Sequence, residues 1–290
     1  MKYFLIVLPG CLVSFCFSGG QPERAASKQV EVVSDSLLPY LDTSGKTMEP
    51  RFPVPAGFVR LRADSTSFAA YLRRMPLHPH GYPVHLYDGS LKSWQAAHIA
   101  VLQVDVGAGD LQQCADAVIR LRAEYLYQQK RFGDIHFNFT NGFKAEYTRW
   151  RNGERIRVSG NRSWWVPGGA ASGSYAGFRR YLDQVFMYAG TASLERELKP
   201  VPLSNIQPGD VWIQGGHPGH AVLVMDVAVQ PETGERLFLL AQSFMPAQEI
   251  HVLKNPANSD ANPWYSNARP GEQLATPEWT FLKSQLRRME

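Results

Sequence analysis

Cysteine is scarce: three residues among 290, at positions 11, 16 and 114. No apolar run reaches the roughly 20 residues needed to span a bilayer, the longest being Tyr3 to Phe17. Charge is sparse at 19%, the formal net charge is only +4, and no basic run stands out. The lack of a basic run argues against nucleic acid as a partner. Internal repeats are absent too, which excludes a solenoid or propeller.

What is present begins at the N-terminus. "MKYFLIVLPGCLVSFCFSGG" carries one early lysine, an apolar stretch and then small residues, the pattern of an export signal over residues 1–20. Cys16 before "FSGG" resembles the lipid-acceptor cysteine of bacterial lipoproteins, although Phe15 stands where a small residue normally precedes it. Cys11 follows Gly10 but has too short an apolar stretch before it. The expectation is an exported chain, periplasmic or membrane-anchored through a lipid on Cys16. With Cys11 and Cys16 in the signal, Cys114 is the one thiol of the folded body. It is then either a small buried hydrophobe or a reactive group.

Residues 21–50 are polar with short apolar clusters and read as a flexible tether, leaving 51–290 as a single α+β domain. "STSFAAYLRRM" predicts a helix capped by Ser65 or Thr66, and "HIAVLQVDV" (98–106) a strand. "GDLQQCADAVIRLRAEYLYQQKR" predicts a helix capped by Asp110 with Gln113 completing the box, its apolar stripe running through Leu111, Cys114, Val118, Leu121 and Tyr125. "IHFNFTNGFKAEYTRW" predicts a hairpin, residues 175–189 a second helix, and the last residues a possible final helix. Trp164 and Trp165, in a glycine-rich segment, suit stacking on sugar rings or a peptide, and equally an anchor for the loop itself.

"GGHPGHAVLVMDV" (215–227) predicts a glycine turn feeding a strand apolar on both faces, with His220, Val222, Val224 and Asp226 on one side. A buried imidazole needs a hydrogen-bond partner. If the hairpin into "RLFLLAQSF" (236–244) centres near Glu232, Phe244 lies opposite His220 and Gln242 opposite Val222, a diagonal neighbour of the histidine. A histidine oriented by an amide is half of a thiol-hydrolase arrangement. The other half is a cysteine at a helix N-terminus, where the dipole favours thiolate.

"SNIQPGDVWIQGGHPGHAVLVMDVA" resembles the passage of the papain-like NlpC and CHAP cell-wall peptidases in which a Pro-Gly-Asp turn, a strand and a glycine turn lead into a histidine strand. That resemblance covers about residues 172–244. It implies a papain-like helix plus antiparallel sheet with an N-terminal elaboration, and a polar third residue at Gln242. It also places the nucleophile at the helix preceding the turn, where Tyr175 stands beside Ser174 and no thiol occurs. The chain as a whole is similar to an uncharacterised family of exported bacterial proteins known only as a domain of unknown function. "QQCADAVIRLRAEYL", "IHFNFTNG", "PGHAVLVMDV" and "LLAQSFMPAQEIHVL" carry that likeness.

The expectation is a cysteine hydrolase acting on amide bonds of cell-envelope material. Cys114 would be the nucleophile, within hydrogen-bond reach of a base and acid, His220, which Gln242 orients; no metal or cofactor is needed. Its partner would be peptidoglycan or an envelope peptide. The alternative is a non-catalytic envelope protein that binds in the cleft of a degenerate peptidase scaffold.

Overall fold

The computed structural model describes residues 39–259 and 262–289. The expected signal and the two cysteines within it lie outside these residues. In chain order the elements are α1 (Met48–Arg51), β1 (Val59–Arg60), α2 (Phe68–Arg73), β2 (His98–Val101), α3 (Cys114–Gln128), β3 (His136–Asn138), β4 (Lys144–Glu146), α4 (Tyr147–Arg151), β5 (Glu154–Ser159), β6 (Arg162–Pro167), α5 (Tyr175–Tyr188) and α6 (Thr191–Glu197). Then follow β7 (Lys199–Pro200), β8 (Val211–Gln214), β9 (His220–Val229), β10 (Arg236–Gln242), β11 (His251–Leu253), β12 (Tyr265–Ser266), β13 (Gln273–Ala275), β14 (Thr280–Leu282) and β15 (Leu286–Arg288). The α+β class is therefore observed.

The main sheet is antiparallel, in the order β2-β11-β10-β9-β8-β15-β7, with β1 also pairing β9 and β12 pairing β10. Strand β9 lies at its centre and is buried along nearly its whole length, as its two apolar faces require. One face, through Ala221, Leu223 and Met225, packs on α3 (Val118, Leu121). The other, through Val222 and Val224, packs with Phe238, Leu240, Leu274 and Phe281.

A β-bulge interrupts the β9–β10 ladder: Leu239 pairs with Asp226, but Leu240 pairs with Val224. Met225 is the extra residue, and it flips the alternation beyond it. Val227 thus joins Val222 and Val224, and Asp226 leaves the face of His220. There it receives Arg60 and Arg73, each at 2.7 Å. The uniform alternation expected from sequence is corrected on this point.

Other boundaries also differ. Helix α3 begins at Cys114 rather than just after Asp110; Asp116 Oδ2 accepts the Gln113 N–H, so the capping frame is shifted by three residues. Asp110 is engaged elsewhere, accepting from Gln113 Nε2 and from the Ala247 amide. Ser67, not Ser65 or Thr66, caps α2. Strand β2 ends at Val101, and the C-terminal segment forms short strands and a 3-10 turn instead of a final α-helix. The folded body also begins ahead of Arg51, because Tyr40, Leu41 and Met48 are already in the core.

Candidate functional site

The start of β9, the end of β10 and the N-terminus of α3 converge at one end of the sheet. Gly219 delivers the chain to His220 where no side chain fits: an added Cβ would strike Thr191 Oγ1 and lie 2.5 and 2.8 Å from the Gly216 and Gln214 carbonyl oxygens. After the bulge the β9–β10 register follows the sequence expectation, Ala241 opposite Leu223. Gln242 is thereby carried to His220, with Nε2 of the ring 2.8 Å from Oε1 of the amide.

The proton positions follow from the partners. Gln242 Nε2 lies 2.6 Å from Glu278 Oε2, and a carboxylate only accepts, so the amide nitrogen faces Glu278 and the oxygen faces His220. The oxygen in turn only accepts, which places the imidazole proton on Nε2 and leaves Nδ1 with its lone pair. His251 joins them, with Nδ1 2.9 Å from the Glu249 carbonyl oxygen and Nε2 3.4 Å from Gln242 Nε2 and 3.9 Å from Glu278 Oε2. Lys92 closes the network at 2.5 Å from Glu278 Oε1. Burial by itself would raise the Glu278 carboxyl, but its contacts with His251 and Lys92 prevail and hold it below the usual range.

The ring of His220 is 1% exposed and boxed by aromatics: Phe244 at 4.8 Å between centroids, Trp279 at 5.3 Å and Phe281 at 5.9 Å. Burial pushes its pKa down to about 4, against the raising effect of Gln242. The imidazole is therefore neutral at physiological pH and competent to accept a proton on Nδ1.

Cys114 occupies the first residue of α3 and is partly buried. Its sulfur sits beside β9, where the Ala221 backbone amide, one peptide from His220, acts on it. Burial pushes the thiol up to about 11, with Asp116 adding to the rise; the amides of Ala115, Ala221 and Cys114 itself oppose it without prevailing. The thiolate expected from the helix dipole is corrected: desolvation outweighs the dipole, and the resting group is a neutral thiol. No hydrogen bond joins the sulfur to the imidazole among the described residues, contrary to the sequence expectation. The reason is placement, since the ring lies on the face of Trp279 and Phe281 while α3 packs on the opposite face.

Glu278, Lys92 and His251 were not singled out from the sequence. They come from three distant segments, and the "TPEW" stretch holding Glu278 has no periodic signal. Tyr175 and Ser174 lie elsewhere: the Tyr175 hydroxyl donates to Glu124 at 2.7 Å, and Ser174 caps α5. No set of three or more metal-ligating side chains is assembled among the described residues.

Neither a curated protein nor a solved structure matches the chain. Residues 48–288 match the family described as "Domain of unknown function (4846)". That span takes in the whole sheet and every member of the His220 network, and the chain belongs to this family.

Proposed function

We propose that this protein is a papain-like cysteine hydrolase that cleaves amide bonds of cell-envelope material after export. The reading is carried by one observation: Gln242, itself held by Glu278, fixes His220 in a single tautomer at the start of β9, the strand against which α3, the helix that opens at Cys114, packs. Cys114 Sγ attacks the amide carbon as Nδ1 takes the thiol proton. His220 then returns that proton to the departing nitrogen as the C–N bond breaks. Water, deprotonated by the same nitrogen, cleaves the resulting thioester, yielding carboxylic acid and free thiol. Because both groups rest neutral, the base acts on the thiol as it attacks, without a standing thiolate–imidazolium pair. The step requires the start of β9 and the first turn of α3 to shift when substrate binds, because the ring and α3 pack on opposite faces of the sheet.

The raised thiol pKa and the missing sulfur–imidazole hydrogen bond favour a second reading, a non-catalytic scaffold that binds envelope peptide. Incubation of the purified protein with peptidoglycan fragments, followed by mass spectrometry, separates the two. The hydrolase releases new carboxylate and amine ends, and Cys114→Ala and His220→Ala both abolish the release. Binding without cleavage, or cleavage that survives Cys114→Ala, overturns the proposal. The export expectation is tested by fractionation and by labelling with a radioactive fatty acid, which Cys16→Ser eliminates if the anchor is there.

A further inference from the structure

The β5–β6 hairpin stands apart from the main sheet as a two-stranded unit, and the adjacent tryptophans part ways on it. Trp165 turns inward, its ring 5.7 Å from that of Phe143 and covered by the Arg149 guanidinium at 4.8 Å. It is the anchor. Trp164 points the other way and is 44% exposed. The register pairs Arg157 with Trp164 and Ser159 with Arg162, so both arginines share the outward face with the exposed indole. Both are exposed, and neither has an acidic partner among the described residues.

Beside Trp164 lies an open groove of about 670 Å³, walled by the β3–β4 turn and the hairpin tip. Asn141 stitches the two turns together. Its Nδ2 donates to the Asn161 carbonyl at 3.1 Å and to Ser163 Oγ at 2.9 Å, and its Oδ1 accepts from the Phe143 amide at 3.0 Å. The wall is thus fixed, while the Ser163 hydroxyl proton and the Asn161 side-chain amide remain to meet a ligand.

We propose that this face is a binding subsite for an acidic carbohydrate. A pyranose ring stacks its C–H face on Trp164, its hydroxyls meet Ser163 and Asn161, and carboxylates on the chain pair with Arg157 and Arg162. The chemistry selects this class. One flat aromatic platform ringed by hydroxyl, amide and guanidinium groups suits a polar ring with in-plane hydrogen bonds. An apolar peptide anchor needs a deeper hydrophobic lining, and a single-stranded nucleic acid needs a cationic track longer than two arginines. The subsite does not depend on the chemistry of Cys114, so either assignment stands or falls alone.

The test is calorimetric titration of the full chain with tetragalacturonate, using neutral chitotetraose, decathymidylate and a proline-rich decapeptide as comparison probes. Tetragalacturonate is expected to bind more tightly than the others. Trp164→Ala weakens it at least tenfold, Trp164→Phe by less than threefold, and Arg157→Ala/Arg162→Ala removes the preference for the acidic over the neutral sugar. All three positions are exposed, and unchanged thermal melts confirm that each variant is folded. The proposal is overturned by no measurable binding of tetragalacturonate, by binding that Trp164→Ala leaves intact, or by tighter Trp164-dependent binding of the peptide or the nucleic acid.

Discussion

The imidazole of His220 links the candidate chemistry to stability. Its pKa falls from 6.5 in the unfolded chain to about 4 in the fold. Between these values the unfolded state binds a proton that the folded state refuses, so stability rises with pH across that window and is lost on acidification. The span corresponds to roughly 3 kcal/mol at most. Denaturant titrations at pH 7 and pH 4.5 should show wild type losing more stability than His220→Gln, and equal losses would refute the burial argument. Glu278 acts one step further out. Glu278→Gln allows the Gln242 amide to turn and so unpins the imidazole tautomer. On the proposed hydrolase reading, the expected result is a kcat lowered by about 10- to 100-fold with KM nearly unchanged, by analogy with outer-sphere partners that orient a reactive group elsewhere. An unaltered kcat would assign Glu278 a purely structural place.

The glycine turn between β8 and β9 fixes where that imidazole sits. Gly219→Ala forces a methyl group onto two carbonyl oxygens and the Thr191 hydroxyl. A loss of about 2 kcal/mol is expected, together with loss of any thiol-dependent activity. Gly133→Ala, where a methyl group meets nothing and the backbone is not left-handed, should melt like wild type. Differential scanning calorimetry of the pair decides the matter. Much of this hairpin was legible in the sequence, because apolar alternation, the glycine turn and "PETGE" together set the register that joins Gln242 to His220. The bulge at Met225 was not, since nothing in "VLVMDVAV" distinguishes an extra residue from regular alternation. Nor was the true start of α3: Asp110 and Asp116 both suit a helix start, and only the tertiary claim of Ala247 on Asp110 decides between them. The supporting side chains Lys92, Glu278 and His251 were equally hidden, as their meeting depends on loop paths that no local pattern encodes.

The molecule as a whole is tied across its sequence by buried charge. Asp226, 2% exposed, receives Arg60 beside β9 and Arg73 from α2, which fastens the N-terminal segment to the central strand. Removing the acid leaves two guanidinium groups facing each other. Asp226→Asn should therefore cost about 3 kcal/mol in urea unfolding, and a change below 1 kcal/mol would show that solvent compensates the arginines. A comparable fastening closes the other end. Strand β15 inserts between β8 and β7, and Arg288 reaches Asp210 of the Pro-Gly-Asp turn with two hydrogen bonds, at 2.6 and 2.8 Å. Until residues 286–288 have emerged from the ribosome, one rim of β8 has no mate in the finished order. A nascent chain halted before them presents that rim to other chains as a template for mispairing, so maturation of the sheet is tied to completed synthesis through residue 288.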